Sequence, residues 1–167
     1  MLIRFAEEKD LDSIARLYVH NHKTTYRGLL SEEYLNSLTV EGAKNKWKNY
    51  LAENNKIWVA YETDIFLGFT AGKEDNELER TWYLDSLHVS ENARGRGIGT
   101  QLIRTMGRYA ADNRYKSMSI CVVKGNDTAK SLYLRLGAEP YKSFSDCFAN
   151  TTANSEKLIW NDINMLL

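Results

Sequence analysis

"LHVSENARGRGIGTQLI", residues 87–103, places three glycines directly before a well-formed helical pattern. Gly95, Gly97 and Gly99 stand at every second position, with Arg94 and Arg96 between and before them. "LHV" reads as the end of a strand. Ile98, Leu102, Ile103, Met106, Tyr109 and Ala110 recur at helical spacing. A strand, a tight turn and a helix create an anion site. The first helical N–H groups lack internal partners, and the helix dipole adds partial positive charge there. Glycine lets the backbone approach a phosphate closely, and two arginines add full charges. The plainer reading is a flexible turn carrying surface arginines. Two phosphate loops are excluded. The segment ends Ile98-Gly99-Thr100, not Gly-Lys-Ser/Thr, and "GRGIG" lacks the G-x-G-x-x-G spacing of a dinucleotide fingerprint.

Working outward, "KIWVAYE" and "IFLGFTAGK" read as two strands joined by the compact "TD" turn. "LERTWYLDSLHV" is a third, ending at the glycine segment. Before them come a strand at 2–5 and a helix from Asp10. Two further helices follow, capped by Ser31 and Thr39. After the glycine helix come a strand "SMSICVV", a helix over 128–136 closed by Gly137, and strands near 140–148 and 156–162. The order predicts a mixed α/β, α+β layer protein with a largely antiparallel sheet. The passage from 82 to 123 supplies one parallel crossover.

A chain of 167 residues with 43% hydrophobic content suits one domain over 1–167. Its 22 basic and 22 acidic residues argue against a general nucleic-acid binder. No stretch approaches membrane-spanning length, so no membrane partner and a cytoplasmic setting are expected. Cys121 and Cys147 make no disulfide framework and read as structural. "NTT" at 150–152 reads as a chance sequon in that setting. The scattered histidines and cysteines lack metal-ligand spacing, so no metal is expected.

A second stretch, "NDTAKSLYLRLGAEP" at 126–140, follows the first. Together they resemble the GCN5-related N-acetyltransferase (GNAT) superfamily. Arg94-Gly95-Arg96-Gly97-Ile98-Gly99 matches its R/Q-x-x-G-x-G/A signature, and 126–138 matches its N-x-x-A-x-x-x-Y-x-x-x-G-F/A segment. The two occur in the expected order and separation, and essentially the whole chain fits. The resemblance implies a central sheet whose 81–89 region splays from the strand at 118–123. It implies acetyl-CoA as acetyl donor, an amine acceptor, and often a homodimer. Backbone amides of Arg94, Gly95, Arg96, Gly97, Ile98, Gly99 and Thr100 would hold the pyrophosphate. Leu87, His88 and Val89 would run beside the pantetheine.

The resemblance places Tyr133 near the coenzyme sulfur, as proton donor to the departing thiolate, and Asn126 near the pantetheine. The alternatives are a packed aromatic and a helix cap. Asp85 lies two residues before Leu87, so a regular strand puts both on one face, with Asp85 toward the acceptor amine as a base. Glu74 and Glu79 are alternative bases. An ordinary solvated or paired carboxylate is the simpler reading of each. "YRGLLSEEYL" at 26–35 falls in the family's variable acceptor wall, where Tyr26 could stack on or hydrogen-bond an acceptor, or equally be core. His88 is expected to act through its backbone. His20 and His22 could line the acceptor mouth, but a surface position is the expectation for both. Lys130 and Arg135 suit either coenzyme phosphates or an exposed helix face. The leading expectation is direct acetyl transfer from acetyl-CoA to a primary amine of a small molecule, peptide or protein. A non-catalytic acyl-CoA binding module is the alternative. A nucleotide-binding regulator is disfavoured by the missing lysine and the glycine spacing.

Overall fold

In the computed structural model, which describes residues 1–148 and 150–167, the alternation in the sequence becomes a seven-stranded sheet. The strands are β1 (Leu2–Phe5), β2 (Lys56–Glu62), β3 (Ile65–Glu74), β4 (Thr81–Val89), β5 (Ser117–Val123), β6 (Glu139–Phe148) and β7 (Thr151–Trp160). Their spatial order is β1-β2-β3-β4-β5-β7-β6. Neighbours are antiparallel except β4 and β5, which run parallel. The helices are α1 (Leu11–Thr25), α2 (Glu32–Ser37), α3 (Val40–Ala52), α4 (Ile98–Asp112) and α5 (Asp127–Arg135). Parallel neighbours need a crossover, and α4 supplies it.

Each sheet face has its own core. Ile14 of α1 and Trp47 of α3 pack on Phe69 and Ala71 of β3. On the opposite face Leu102, Ile103 and Met106 of α4 pack against Trp82, Leu84 and Trp160. These α4 positions are the apolar stripe read from the sequence. The expected caps also form. Ser31 accepts from the Tyr34 N–H at 3.2 Å, and Thr39 accepts from the Gly42 N–H at 3.1 Å.

Several boundaries differ from the sequence reading. β4 begins at Thr81 rather than 78, because the Asp75 carboxylate accepts from the Glu77 and Leu78 N–H groups and makes a turn there. α5 starts and ends one residue earlier than expected. The last strand starts at Thr151 instead of 156 and ends at Trp160. Its polar first half has no core face to betray it, and pairs with the outer half of β6.

The feature that positions the site is a split in the sheet. β4 pairs with β5 only from Thr81 to Leu84, opposite Ser117 to Ile120. The next residue is a β-bulge: Gly72 opposes Leu84 and Ala71 opposes Ser86, leaving Asp85 extra. A bulge bends its strand and interrupts pairing. Beyond it β5 continues along β7, while Asp85–Val89 keeps only β3 as a partner. The two half-sheets therefore open into a V.

Candidate active site

A cleft of about 1130 Å³ occupies this V. At one end lies the glycine turn. Gly95 and Gly97 adopt left-handed backbone angles of φ +74° and +78°, with open space where a side chain would project. Gly97 is the residue before α4, and no side chain caps that helix. The first α4 N–H bonded back into the turn is that of Gln101, to the Gly97 carbonyl at 3.0 Å. Ile98, Gly99 and Thr100, all lining the cleft, thus present their N–H groups at the helix's positive end.

The cleft walls contain nearly all the residues expected from the sequence. Leu87, His88 and Val89 line one side, and Asn126 and Tyr133 the other. Arg94 sits at the mouth. Its guanidinium donates to the Asn21 Oδ1 at 3.1 Å, and the Asn21 amide donates to the Val89 carbonyl at 3.2 Å. Arg96 is the exception. It turns out of the cleft and pairs with Glu62 at 2.8 Å, so of the two signature arginines Arg94 alone lines the cleft.

Tyr133 is buried to 6% exposure and packs edge-on to Trp160, with ring centroids 6.0 Å apart. Burial pushes its phenol pKa up, with Tyr26 nearby adding to the shift, so it keeps its proton near neutrality. Burial likewise raises Tyr26, and the Asn126 amide beside it offsets part of the shift. Both tyrosines line the cleft.

Asp85 lines the cleft too, but not on the face expected. The bulge breaks the two-residue period. Leu84 and Leu87 both pack on the α4 side. Asp85 shares the opposite side with Lys73, whose ammonium lies 4.0 Å from it. Its charge raises the pKa of Tyr18, Tyr50 and Tyr83 beyond the effect of their burial. Asp85 thus belongs to a polar end of the cleft, past the V.

His22 also corrects the sequence reading. It is 8% exposed, with its ring 5.3 Å from His88 and 4.0 Å from Tyr18 between centroids. Burial pushes its pKa down to about 4, and pushes His88 well below its ordinary value. Both rings stay neutral around pH 7. The His88 ring stacks on Phe69 at 5.2 Å. His20 is on the surface, as expected.

Glu74 and Glu79 are exposed and lie outside this cleft. Lys130 pairs with Glu156 at 2.7 Å, whereas Arg135 reaches the cleft wall. Cys121 is half-buried in the cleft beside Tyr83, and Cys147 is exposed. Among the described residues no cluster of His, Cys, Asp or Glu is arranged to hold a metal ion. No helix of the described residues is long and apolar enough to cross a membrane.

Sequence reasoning missed Asn21, Lys46, Tyr83 and Asp146, which also line the cleft, while Tyr34 lies in the stretch expected to form the acceptor wall. Tyr83 had a signal, since it alternates with Asp85 on one strand. Lys46 and Asp146 had none, because α3 and β6 approach the cleft only through the tertiary fold.

A half-split mixed sheet, with the uncapped N–H groups of a helix at its opening, defines a class of folds with a deep open cleft between two strands. Comparison with known proteins specifies the class. The Acetyltransferase (GNAT) family profile matches residues 18–138. "Uncharacterized N-acetyltransferase YuaI" of Bacillus subtilis is 25% identical, over 98% of this chain and 95% of that protein. An uncharacterized N-acetyltransferase of Archaeoglobus fulgidus is 30% identical, over 80% of this chain and 89% of its own. The crystal structure of PaiA N-acetyltransferase from Thermoplasma acidophilum, in complex with coenzyme A, superposes with a TM-score of 0.77. It is 20% identical, covering 93% of this chain and 98% of that one. The chain belongs to the GNAT acetyltransferase family.

Proposed function

We propose that residues 1–167 form one catalytic domain that transfers the acetyl group of acetyl-CoA directly to a primary amine. The observation that carries this reading is the alignment of three features along one cleft. The bare helix start of α4 lies at the mouth, the unpaired β4 edge from Asp85 to Val89 lines one wall, and the protonated Tyr133 lines the other.

These residues fit the donor. The N–H groups of Ile98, Gly99 and Thr100, with the Arg94 guanidinium, would hold the pyrophosphate. Backbone groups of Leu87 to Val89, which lack a β5 partner, would satisfy the pantetheine amides. When bound, acetyl-CoA supplies an activated acetyl thioester.

The chain's own residues do the rest. Tyr133 donates its phenolic proton to the leaving sulfur, which removes negative charge where it develops. Its pKa suits a donor that is never pre-ionised near neutrality. Asp85, at the polar end, holds the acceptor's amine and takes up its proton, directly or through water. The walls of α1 and α5 exclude bulk water and set the direction of approach.

Steady-state coenzyme A release with an amine panel tests this reading. Tyr133→Phe is expected to lower kcat about a hundredfold, while changing the acetyl-CoA Kd less than threefold. A kcat unchanged under chemistry-limited conditions removes Tyr133 from the mechanism. Coenzyme A binding without turnover of any amine would instead favour a non-catalytic acyl-CoA binding module.

A further inference from the structure

The polar end of the cleft carries a cation as well as carboxylates. Lys46, on α3, leans over the opening and donates to the Tyr18 hydroxyl at 3.0 Å. Its ammonium also lies 4.7 Å from the Tyr18 ring centroid and 5.1 Å from that of Trp47. Neighbouring lysines on the same helix have acidic partners: Lys44 lies 3.8 Å from Asp12, and Lys48 lies 3.8 Å from Glu8. Among the described residues Lys46 forms no ion pair, although it lines the cleft.

Across the same space stand Asp85 on β4 and Asp146 on β6, both lining the cleft. Asp146 likewise forms no ion pair among the described residues. One of its oxygens accepts from the Cys147 N–H at 2.9 Å. Tyrosines tie the two sides together. Tyr18, which touches Lys46, feels the charge of Asp85, while Tyr34 and Tyr83 feel that of Asp146. This end of the cleft therefore offers one held cation, Lys46, and two carboxylates at separate places, joined by hydroxyls that accept from an ammonium and donate to a carboxylate.

We infer that the acceptor is a small zwitterionic amine of amino-acid type, whose carboxylate binds Lys46 while its amine is held by Asp85 and Asp146. The inference rests on the acetyltransferase reading and narrows its substrate. Charge complementarity decides specificity by penalising the wrong partner as well as favouring the right one. A diamine places a second ammonium beside Lys46. A simple alkylamine leaves Lys46 unpaired, and an uncharged acceptor leaves both Lys46 and Asp146 unanswered. Cation–π contacts and the Tyr18 hydroxyl hold the Lys46 head in place, so a carboxylate meets a preorganised partner.

The test compares coenzyme A release with amino acids of acidic, basic, apolar and aromatic side chain, each against its own decarboxylated amine. Diamines are included. At least one amino acid is expected to exceed its decarboxylated amine by tenfold or more in kcat/KM. Lys46→Met is expected to erase most of that ratio through KM, and Lys46→Arg to retain it. Urea midpoints of both variants exclude a folding defect. A preference for diamines or simple amines, or a ratio unchanged in Lys46→Met, overturns the inference. So does a failure to turn over any amino acid. In that last case coenzyme A titration separates the two levels: retained binding leaves acetyl transfer to another amine class standing, and lost binding overturns the acetyltransferase reading itself.

Discussion

Asp85 and Leu87 lie two residues apart on one strand and face opposite sides of the sheet. The bulge at Asp85 inserts one residue against β3, so Leu87 turns to α4 while Asp85 turns to Lys73 and the tyrosines. At the same residue β4 leaves β5. One local irregularity thus opens the cleft and sends a carboxylate to its far end, on the opposite side of the strand from Leu87.

Gly97→Ala tests the turn at the mouth. The space around a new methyl is open, so the cost lies in the φ of +78°. A left-handed angle for an L-residue costs roughly 1–2 kcal/mol. Urea unfolding is expected to show that loss, and calorimetric titration a weaker coenzyme A affinity as the turn relaxes. Unchanged values for both would mean the turn adopts another conformation.

The two arginines of the signature are expected to differ. Arg94 faces the cleft, whereas Arg96 is held by Glu62, with both side chains nearly half exposed. Arg94→Ala removes a charge-assisted contact worth about 1.5–3 kcal/mol, a loss of roughly tenfold or more in coenzyme A affinity. Arg96→Ala breaks a surface pair worth about 0–1 kcal/mol of stability and is expected to change affinity by less than about twofold. Equal losses in titration would show that Arg96 swings into the mouth.

His22 makes stability depend on mildly acidic pH. Its folded pKa is about 4 against an ordinary 6.5, through burial, so between these values the unfolded chain binds more protons. Its contribution is complete above pH 6.5 and fades as pH falls to 4, by about 3 kcal/mol in all. His88 acts in the same direction. Urea midpoints at pH 7, 5.5 and 4.5 are expected to fall steadily, and His22→Gln to flatten the fall. An equal slope in the variant contradicts the burial of a neutral ring.

The base of the V is clamped by a buried ion pair. Lys157 of β7 lies 2.7 Å from Asp75 in the β3–β4 connection, with side-chain exposures of 6% and 1%. Burial alone raises the Asp75 pKa, but hydrogen bonds from Lys157, Ser119 and two backbone N–H groups outweigh it and hold the pKa low. Asp75→Asn leaves Lys157 with only the half-exposed Glu77 at 2.9 Å. A loss of about 3–5 kcal/mol is expected in urea unfolding. A loss below about 1 kcal/mol would mean that Glu77 replaces Asp75 fully.

What the sequence revealed and what it hid follow from range. The glycine turn, the α4 stripe, the caps at Ser31 and Thr39 and the order of strands are local patterns, and each was readable. The face of Asp85 depends on its register against β3, which no single strand encodes. His22 is buried because β4 brings His88 under it. Arg96 leaves the cleft because Glu62, thirty-four residues earlier, is there to take it. Lys46 and Asp146 come from a helix and a strand whose own patterns are ordinary, and only the fold sets them around one space.

A crystal structure of the chain with acetyl-CoA tests the central claim most directly. The account predicts the pyrophosphate on the N–H groups of Ile98, Gly99 and Thr100, the pantetheine along Leu87 to Val89, and the thioester sulfur within hydrogen-bonding reach of the Tyr133 hydroxyl. Acetyl-CoA bound outside the opening between β4 and β5, or a sulfur far from Tyr133, would contradict it.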